Sequence, residues 1–366
     1  MGTEAKRLKG VCLFGGHHVG YPRSAVLLEG LRRLGVRVAS CTASPRRKVV
    51  RRYASLARRY GSMERDFEVL FVPEFRHKDM VLAAALASAS GKRVVFDPLV
   101  SRFDTRVRDR RDAGEHGAQA WHNQNLDRLA MGLADTVLAD TRAHAGYFAR
   151  ELAPPDTRIR VLEVGYDDAL FTAAPAASAA ADPVVVLFYG SYLPLHGAEC
   201  IVRAAARLRD TPGIRFEMIG GGQTHAPIEH FLRDERLGNV ELVPRIPLSE
   251  LPGRVARASI CLGVFGTTAK AARVIPNKVY QCMGMDRAVI TGDTPAVRES
   301  FHDGVDVVLT APGDADALAA AILRLARDPA LRARLGRVAG ERVRREFSPV
   351  PLARRFVAIC EETMSG

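Results

Sequence analysis

Short apolar runs alternate with amphipathic stretches along nearly the whole chain. In the first half, residues 11–15, 36–41, 67–72, 93–97, 136–139 and 160–164 are too short and too continuously apolar for helices and read as strands. Between them, residues 24–34 and 119–133 carry apolar positions at helical spacing. Strands that alternate with helices predict βαβ units and parallel sheets. Residues 171–183, FTAAPAASAAADP, are small, Pro-containing and unpatterned, and predict a linker. A second strand–helix series follows, with strands expected at 184–189, 215–219, 240–243, 260–264, 288–291 and 307–310. Residues 315–345 read as helical with a break near Asp328-Pro329, and one more amphipathic piece runs from Ser348-Pro349 to the end. The expected organisation is a first domain over 1–170 to which 350–366 cross back, a linker over 171–183, and a second domain over 184–349. The fold class is α/β: two Rossmann-like domains facing each other across a cleft, with ligands outside the carboxyl ends of the strands.

The length of 366 residues suits two such domains. Hydrophobic residues make up 47% and charged residues 26%, the balance of a folded globular protein. The six cysteines (Cys12, Cys41, Cys200, Cys261, Cys282, Cys360) have no CxxC spacing and several sit in apolar runs, so neither a metal site nor a disulfide framework is expected. Residues 1–10 lack the apolar core of a signal peptide, and no run reaches membrane-spanning length. A reducing cytoplasm is the expected home. The net charge is +12, with +9 on residues 1–175 and +3 on the rest. Residues 46–65 hold eight basic residues and one acid, with Val49, Tyr53, Leu56 and Tyr60 on one helical face. That pattern suits either a packed helix with a solvated basic face or peripheral contact with an anionic membrane at its inner face. No nucleic-acid-binding module is present.

The candidate chemistry lies where strands end. Gly15-Gly16-His17-His18 ends the first strand, and paired glycines let backbone approach a ligand. The GxGxxG fingerprint is absent, and Cys41-Thr42 stands where a dinucleotide fold carries an acid, which counts against a nicotinamide site. In the second half, residues 190–197 (GSYLPLHG) occupy the equivalent turn, placing Gly190, Ser191 and a neutral, hydrogen-bond-donating His196 before a helix. Gly220-Gly221-Gly222 follow the next strand, and Arg245-Ile246 the one after. Most informative are residues 273–281, RVIPNKVYQ, with Pro276 as the expected first helical residue. There Asn277, Lys278 and Gln281 share the end of a helix. A lysine in a first turn opposes the helix dipole by roughly 0.3–1 kcal/mol, a cost that a bound anion would offset. Asp97-Pro98 leads into a charged loop containing Arg102, where Asp97 could orient a hydroxyl or stabilise a cationic sugar ring. Asp314-Ala315-Asp316 sits at a helix start and is read as capping, so no metal is assigned.

These segments resemble the retaining glycosyltransferases of family four, which have the GT-B fold, over nearly the whole chain and most strongly from 184 to 299. The first phosphate loop corresponds to 190–197, the second strand and turn to 218–222, and the donor diphosphate and ribose region to 275–281, 288–291 and Glu299. Gly20-Tyr21-Pro22-Arg23 and Phe96-Asp97-Pro98-Leu99 are similar to a bacterial subgroup. Ser191 and His196 stand where the family has Arg and Lys, and Arg273 and Gln281 stand at its paired glutamates. The resemblance implies retaining transfer of a hexose-type sugar from a nucleoside-diphosphate sugar to a small-molecule or lipid-linked hydroxyl acceptor, UDP being the default nucleotide and GDP the next. It implies donor binding by Gly16, Gly190, Ser191, His196, Gly221, Arg245, Ile246, Arg273, Asn277, Lys278 and Gln281, and acceptor binding by His17, Tyr21 and Arg102. Asp97, His17 and Lys278 are the expected catalytic groups, with no cofactor beyond the nucleotide sugar. A sugar-nucleotide epimerase of the same fold, an NAD-dependent oxidoreductase and a non-catalytic nucleotide-sugar-binding protein are the alternative readings.

Overall fold

The structure, a computed structural model, describes residues 7–16, 20–112, 114–173 and 183–366. It divides into two compact units, Met1–Val164 with Ser348–Gly366, and Gly165–Phe347. The first unit therefore ends before the expected position 170. The reason is Tyr166, whose amide donates to the Phe347 carbonyl at 3.3 Å and whose ring lies 2.4 Å from where a Cβ on Gly284 would be, so it packs within the second unit. Most of the expected linker lies outside the described residues.

The first unit has strands β1 (Gly10–Gly16), β2 (Arg37–Ala43), β3 (Val69–Val72), β4 (Arg93–Phe96), β5 (Thr136–Ala139) and β6 (Ile159–Val161). All pair in parallel, in the order β2-β1-β3-β4-β5-β6. Helices α1 (Pro22–Arg33), α2 (Val49–Ser62), α3 (Met80–Ala89), α4 (Ala118–Gly132) and α5 (Arg142–Tyr147) connect them. Pro22 opens α1, where its missing N–H costs nothing. One face of the sheet is covered by α2, α3 and α4 through Leu56, Tyr60, Met80, Ala83, Ala130 and Met131. On the packed side of α2, Arg52 is buried with Leu56 and Tyr60, while Val49 and Tyr53 are half-buried. The apolar stem of Arg52 packs while its guanidinium pairs with Asp79.

The second unit has β7 (Val184–Ser191), α6 (Ala198–Arg207), β8 (Ile214–Gly221), α7 (His225–Asp234), β9 (Val240–Val243), α8 (Leu251–Arg257), β10 (Ile260–Leu262), α9 (Asn277–Gly284), β11 (Ala288–Gly292), α10 (Pro295–Ser300), β12 (Val308–Thr310), α11 (Ala315–Arg327) and α12 (Pro329–Phe347). Its parallel sheet runs β12-β11-β10-β7-β8-β9. Strand order thus reverses between β7 and β10 in this unit, and between β1 and β3 in the first. Such a reversal opens a crevice at the carboxyl ends, where ligands of this fold class bind. The last helix, α13 (Pro349–Ser365), packs on α1 in the first unit. Gly30 allows the approach, because a Cβ there would lie 2.0 Å from the Pro349 carbonyl oxygen. All six cysteines are free and buried. Among the described residues no helix is long and apolar enough to cross a membrane, and no cluster of three His, Cys, Asp or Glu could hold a metal.

Candidate functional site

At the switch point of the second unit, β7 and β8 end side by side, with Gly190 opposite Gly220 and Ser191 opposite Gly221. After β7 the chain makes a 3-10 turn over Pro194–His196 before α6. Amides from the β10 loop fix this turn, Phe265 donating to the His196 carbonyl at 3.0 Å and Gly266 to that of Leu195 at 3.2 Å. Arg245 folds over the same edge, its Nη2 donating to Ser191 Oγ at 3.1 Å and to the Gly221 carbonyl at 3.2 Å. Ser191, Gly221 and Arg245, 54 positions apart at most, thus form one rim.

Lys278 comes into this rim from α9. Pro276 is the N-cap rather than the first helical residue, because its ψ of 153° is extended, and Lys278 follows one residue inside the helix. Its side chain is 5% exposed, and its Nζ has no hydrogen-bond partner among the described residues. The ammonium lies 3.9 Å from the centroid of the Phe188 ring and 3.1 Å from where a Cβ on Gly190 would stand. Burial pushes the amine down to about 7. A cation so placed loses its hydration shell and gains only a cation–π contact in return.

His196 stands beside it, its Cε1 3.5 Å from the same Gly190 Cβ position. The imidazole is held well below its usual range by burial first and by the charge of Lys278 second. Its Nδ1 meets the Ser191 carbonyl, which can only accept, so the neutral ring carries its proton there and presents Nε2 as an acceptor. This corrects the expectation of a neutral His196 donating to phosphate: Nε2 can receive a hydroxyl hydrogen, or donate only after taking up a proton. Gln281 is buried and its Oε1 accepts from Tyr189 Oη at 2.9 Å, which leaves its NH2 as the free donor among the described residues. Asn277 at the start of α9, Ile246 after β9 and Arg273 in the 3-10 turn Ala271–Arg273 are half-buried. Phe188, Tyr189 and Lys270 were not singled out from sequence. Lys270 is buried in the loop after β10 and adds to the field on His196.

The first unit treats its expected residues differently. His17 lies outside the described residues. The Gly16 amide is already committed, donating to Asp79 Oδ2 at 2.8 Å. Asp97, expected to face a substrate, is 1% exposed and spent on structure. Its Oδ2 accepts from Arg23 Nε at 2.5 Å and its Oδ1 from the Leu99 amide at 3.1 Å. Burial raises its carboxyl and Arg23 pulls it back. Arg23 also donates to the Leu162 carbonyl at 2.9 Å, so the Arg23–Asp97 pair ties the start of α1 to the residue after β6. Tyr21 caps α1 and meets Phe75 edge-on at 5.1 Å. Arg102 is half-buried, its amide donating to Asp127 Oδ1 at 3.0 Å.

Comparison with known proteins fits this geometry. Residues 183–328 match the family model described as glycosyl transferases group 1. A curated D-inositol 3-phosphate glycosyltransferase of Kribbella flavida is 28% identical over an alignment 233 residues long that covers 57% of this chain and 52% of that protein. The chain thus spans about half the length of the relative it matches. Among solved structures, HepE of Anabaena in complex with UDP superposes with a TM-score of 0.69 at 16% identity, covering 97% of this chain and 100% of that one. Sucrose-phosphate synthase of Thermosynechococcus elongatus gives 0.67 at 19%, covering 91% and 84%. The chain shares the GT-B fold of these glycosyltransferases.

Proposed function

We propose that the protein, whose residues 183–328 match the group 1 glycosyltransferase model, moves a hexose from a nucleoside-diphosphate sugar to a hydroxyl acceptor, with retention of configuration and without a divalent metal. The observation that carries this reading is the Lys278 ammonium, buried and unpartnered at the switch point beside Gly190. A diphosphate supplies the missing counter-charge, and the start of α9 adds free backbone amides. As the bond from sugar to phosphate breaks, negative charge grows on the leaving diphosphate, and Lys278 stabilises it. Arg245 extends the positive rim toward the nucleotide, with Ile246 beside the base. The NH2 of Gln281 offers a donor to ribose hydroxyls. UDP is the first nucleotide to test, since HepE structures hold UDP and UDP-glucose.

The test is a thermal-shift panel of UDP, GDP, ADP, dTDP and NAD, followed by product analysis with the matching nucleotide sugar. One nucleoside diphosphate is expected to raise the midpoint, the bound state gaining about 2.7 kcal/mol of stability at a hundredfold excess over Kd. A shift with NAD alone would replace this reading with an oxidoreductase.

The acceptor side carries a membrane expectation. On the helical layer of the first unit, Val50 of α2 is 80% exposed and Trp121 of α4 is 69% exposed, and exposed Arg46, Arg47, Lys48 and Arg51 flank Val50. Apolar side chains among basic ones suit the cytoplasmic face of an anionic bilayer. Co-sedimentation with phosphatidylglycerol vesicles but not phosphatidylcholine vesicles is expected, and loss of it in Val50→Glu/Trp121→Glu. Equal partitioning onto both vesicle types would discard the membrane contact.

A further inference from the structure

We propose that the switch point of the first unit binds a phosphate monoester borne by the acceptor, held by the guanidinium groups of Arg76 and Arg102 with Arg106 adding to the field. The inference takes from the glycosyltransferase reading only that the bound molecule is the acceptor.

Strand order reverses between β1 and β3, so the crevice of this unit opens beside Gly16 and the segment after Val72. Arg76 lies there, its Nη1 3.0 Å from where a Cβ on Gly16 would be. The backbone that delivers it is strained. Phe75 has a φ of 64° and Leu99 on the neighbouring strand end has 57°, a conformation rare outside glycine. The Phe75 amide donates to the Pro98 carbonyl at 3.4 Å and its ring packs on Tyr21, which hold the turn. Strain of this kind persists where surrounding structure imposes it and gathers at ligand sites.

The charges in this crevice do not cancel. Asp79 is the obvious partner for Arg76, but Arg52 occupies its Oδ1 through Nε at 2.8 Å and Nη2 at 2.6 Å, and the Gly16 amide occupies Oδ2. Arg76 is left with one bond, Nε to the Glu74 carbonyl at 3.3 Å. Glu74 itself is buried and its carboxyl is pushed up to about 7, so it is a weak counter-ion. Arg102 is brought to the same place by Asp127. That carboxylate takes the Arg102 and Phe103 amides and the Ser101 hydroxyl, and sits 3.2 Å from Nε2 of His77, the residue after Arg76. The Arg102 Nε is buried without a partner, and no ion pair links Arg76, Arg102 or Arg106 to a carboxylate among the described residues. Burial first and the charge of Arg106 next make the Arg102 cation costly to hold; the Asp127 carboxylate offsets part of this, and Arg76 adds to the cost. His77 is neutral, its ring pushed down to about 3 by burial. Several other guanidinium groups of this unit are paired with carboxylates, as in Arg23–Asp97, Arg93–Asp135 and Arg108–Glu151.

A phosphate monoester fits this surplus. It carries about −1.5 to −2 at neutral pH and three acceptor oxygens, enough for more than one guanidinium fork, whereas a carboxylate satisfies a single fork.

The experiment is calorimetric titration of glycerol 3-phosphate and glucose 6-phosphate, with glycerol and glucose as neutral controls, into the protein with and without saturating UDP. Arg76→Gln and Arg102→Gln are compared with the unsubstituted chain, and Arg76→Lys keeps the charge while removing the fork. At least one ester is expected to bind in the presence of UDP, the neutral controls not to bind, and each Gln variant to weaken the ester by roughly tenfold, the size of one charge-assisted hydrogen bond. An unchanged far-UV spectrum and ligand-free melting profile show that the variants are folded, and unchanged UDP affinity shows that the second unit is undisturbed. A parallel arm with phosphatidic acid vesicles separates a lipid headgroup from a soluble ester by which of the two the Gln variants lose. Ester binding that survives both variants overturns the proposal, as does ester binding that UDP competes away. Ester binding lost in the Gln variants, in a protein that binds no nucleotide, would keep this site and discard the donor reading.

Discussion

Replacing Lys278 by Ala or Met is expected to lower nucleoside-diphosphate affinity at least a hundredfold and sugar transfer by roughly 10²–10³, the loss seen when a preorganised charge-stabilising group is removed. The ligand-free protein should not be weakened in parallel. At Lys278 a cation is buried against Phe188 with no hydrogen-bond partner among the described residues, which opposes folding. Lys278→Met keeps much of the apolar stem and discards the charge, so its ligand-free melting temperature should equal or exceed that of the starting protein. The pH dependence has a definite sign. The folded amine titrates near 7 and the unfolded one near its ordinary 10.5, so the unfolded chain holds more protons between those values. This group therefore costs stability in full below pH 7, and stability recovers as pH rises from 7 toward 10.5. A bound diphosphate draws the amine back to its charged form. Binding above pH 7 should then take up a proton, and affinity should fall by up to about tenfold per pH unit above 7. Calorimetry at pH 8 in buffers of different ionisation enthalpy reads that proton directly. No proton uptake, with nucleotide affinity intact in Lys278→Met, would remove the lysine from the site.

The alternation of apolar runs and helical patterns carried most of the fold. Each of the twelve strands among the described residues lies within a few residues of the run that predicts it, most clearly the central ones, because parallel strands buried on both faces have to be continuously apolar. Lys278 was legible for a local reason, since a cation in a helix's first turn is an anomaly that sequence shows unaided. The misreadings are long-range. Asp97 looks like an open carboxylate at a strand end because its partner, Arg23, lies 74 positions away. Gly16 looks like a free amide because Asp79 is 63 positions away. Gln281 seemed wholly available until Tyr189 was brought against it from 92 positions away. Arg76 gave no signal, since an arginine in the segment PEFRHKD belongs to no motif. Its meaning comes from a left-handed Phe75 and from the prior claim of Arg52 on Asp79, and neither is written in local sequence.

Gly220→Ala is expected to damage both stability and nucleotide binding. Gly220 pairs with Gly190 across the ends of β8 and β7, with a φ of 138° that side chains rarely adopt. A Cβ there would stand 1.9 Å from the Gly190 carbonyl oxygen. The clash is with backbone, so no rotamer change relieves it, and the two strand ends must part. The cost is about 3 kcal/mol or more, combining an unfavourable φ with overpacking. At about 2–4 °C per kcal/mol for a unit of this size, the melting temperature of the second unit should fall by roughly 6–12 °C. Gly35→Ala isolates the conformational part, because Gly35 also has positive φ, at 73°, but nothing lies within 4 Å of its Cβ position. It should cost only about 1 kcal/mol, the conformational share alone, and leave nucleotide binding unchanged. In Gly220→Ala any displacement of Gly190 is passed to Lys278, in contact with it, and to Ser191, which anchors His196 and Arg245. UDP affinity measured well below the new melting temperature should therefore drop as well. Equal, small losses for the two alanines would mean that the strand ends do not approach as described, and the rim formed by Gly190, Ser191 and Gly221 would lose its basis.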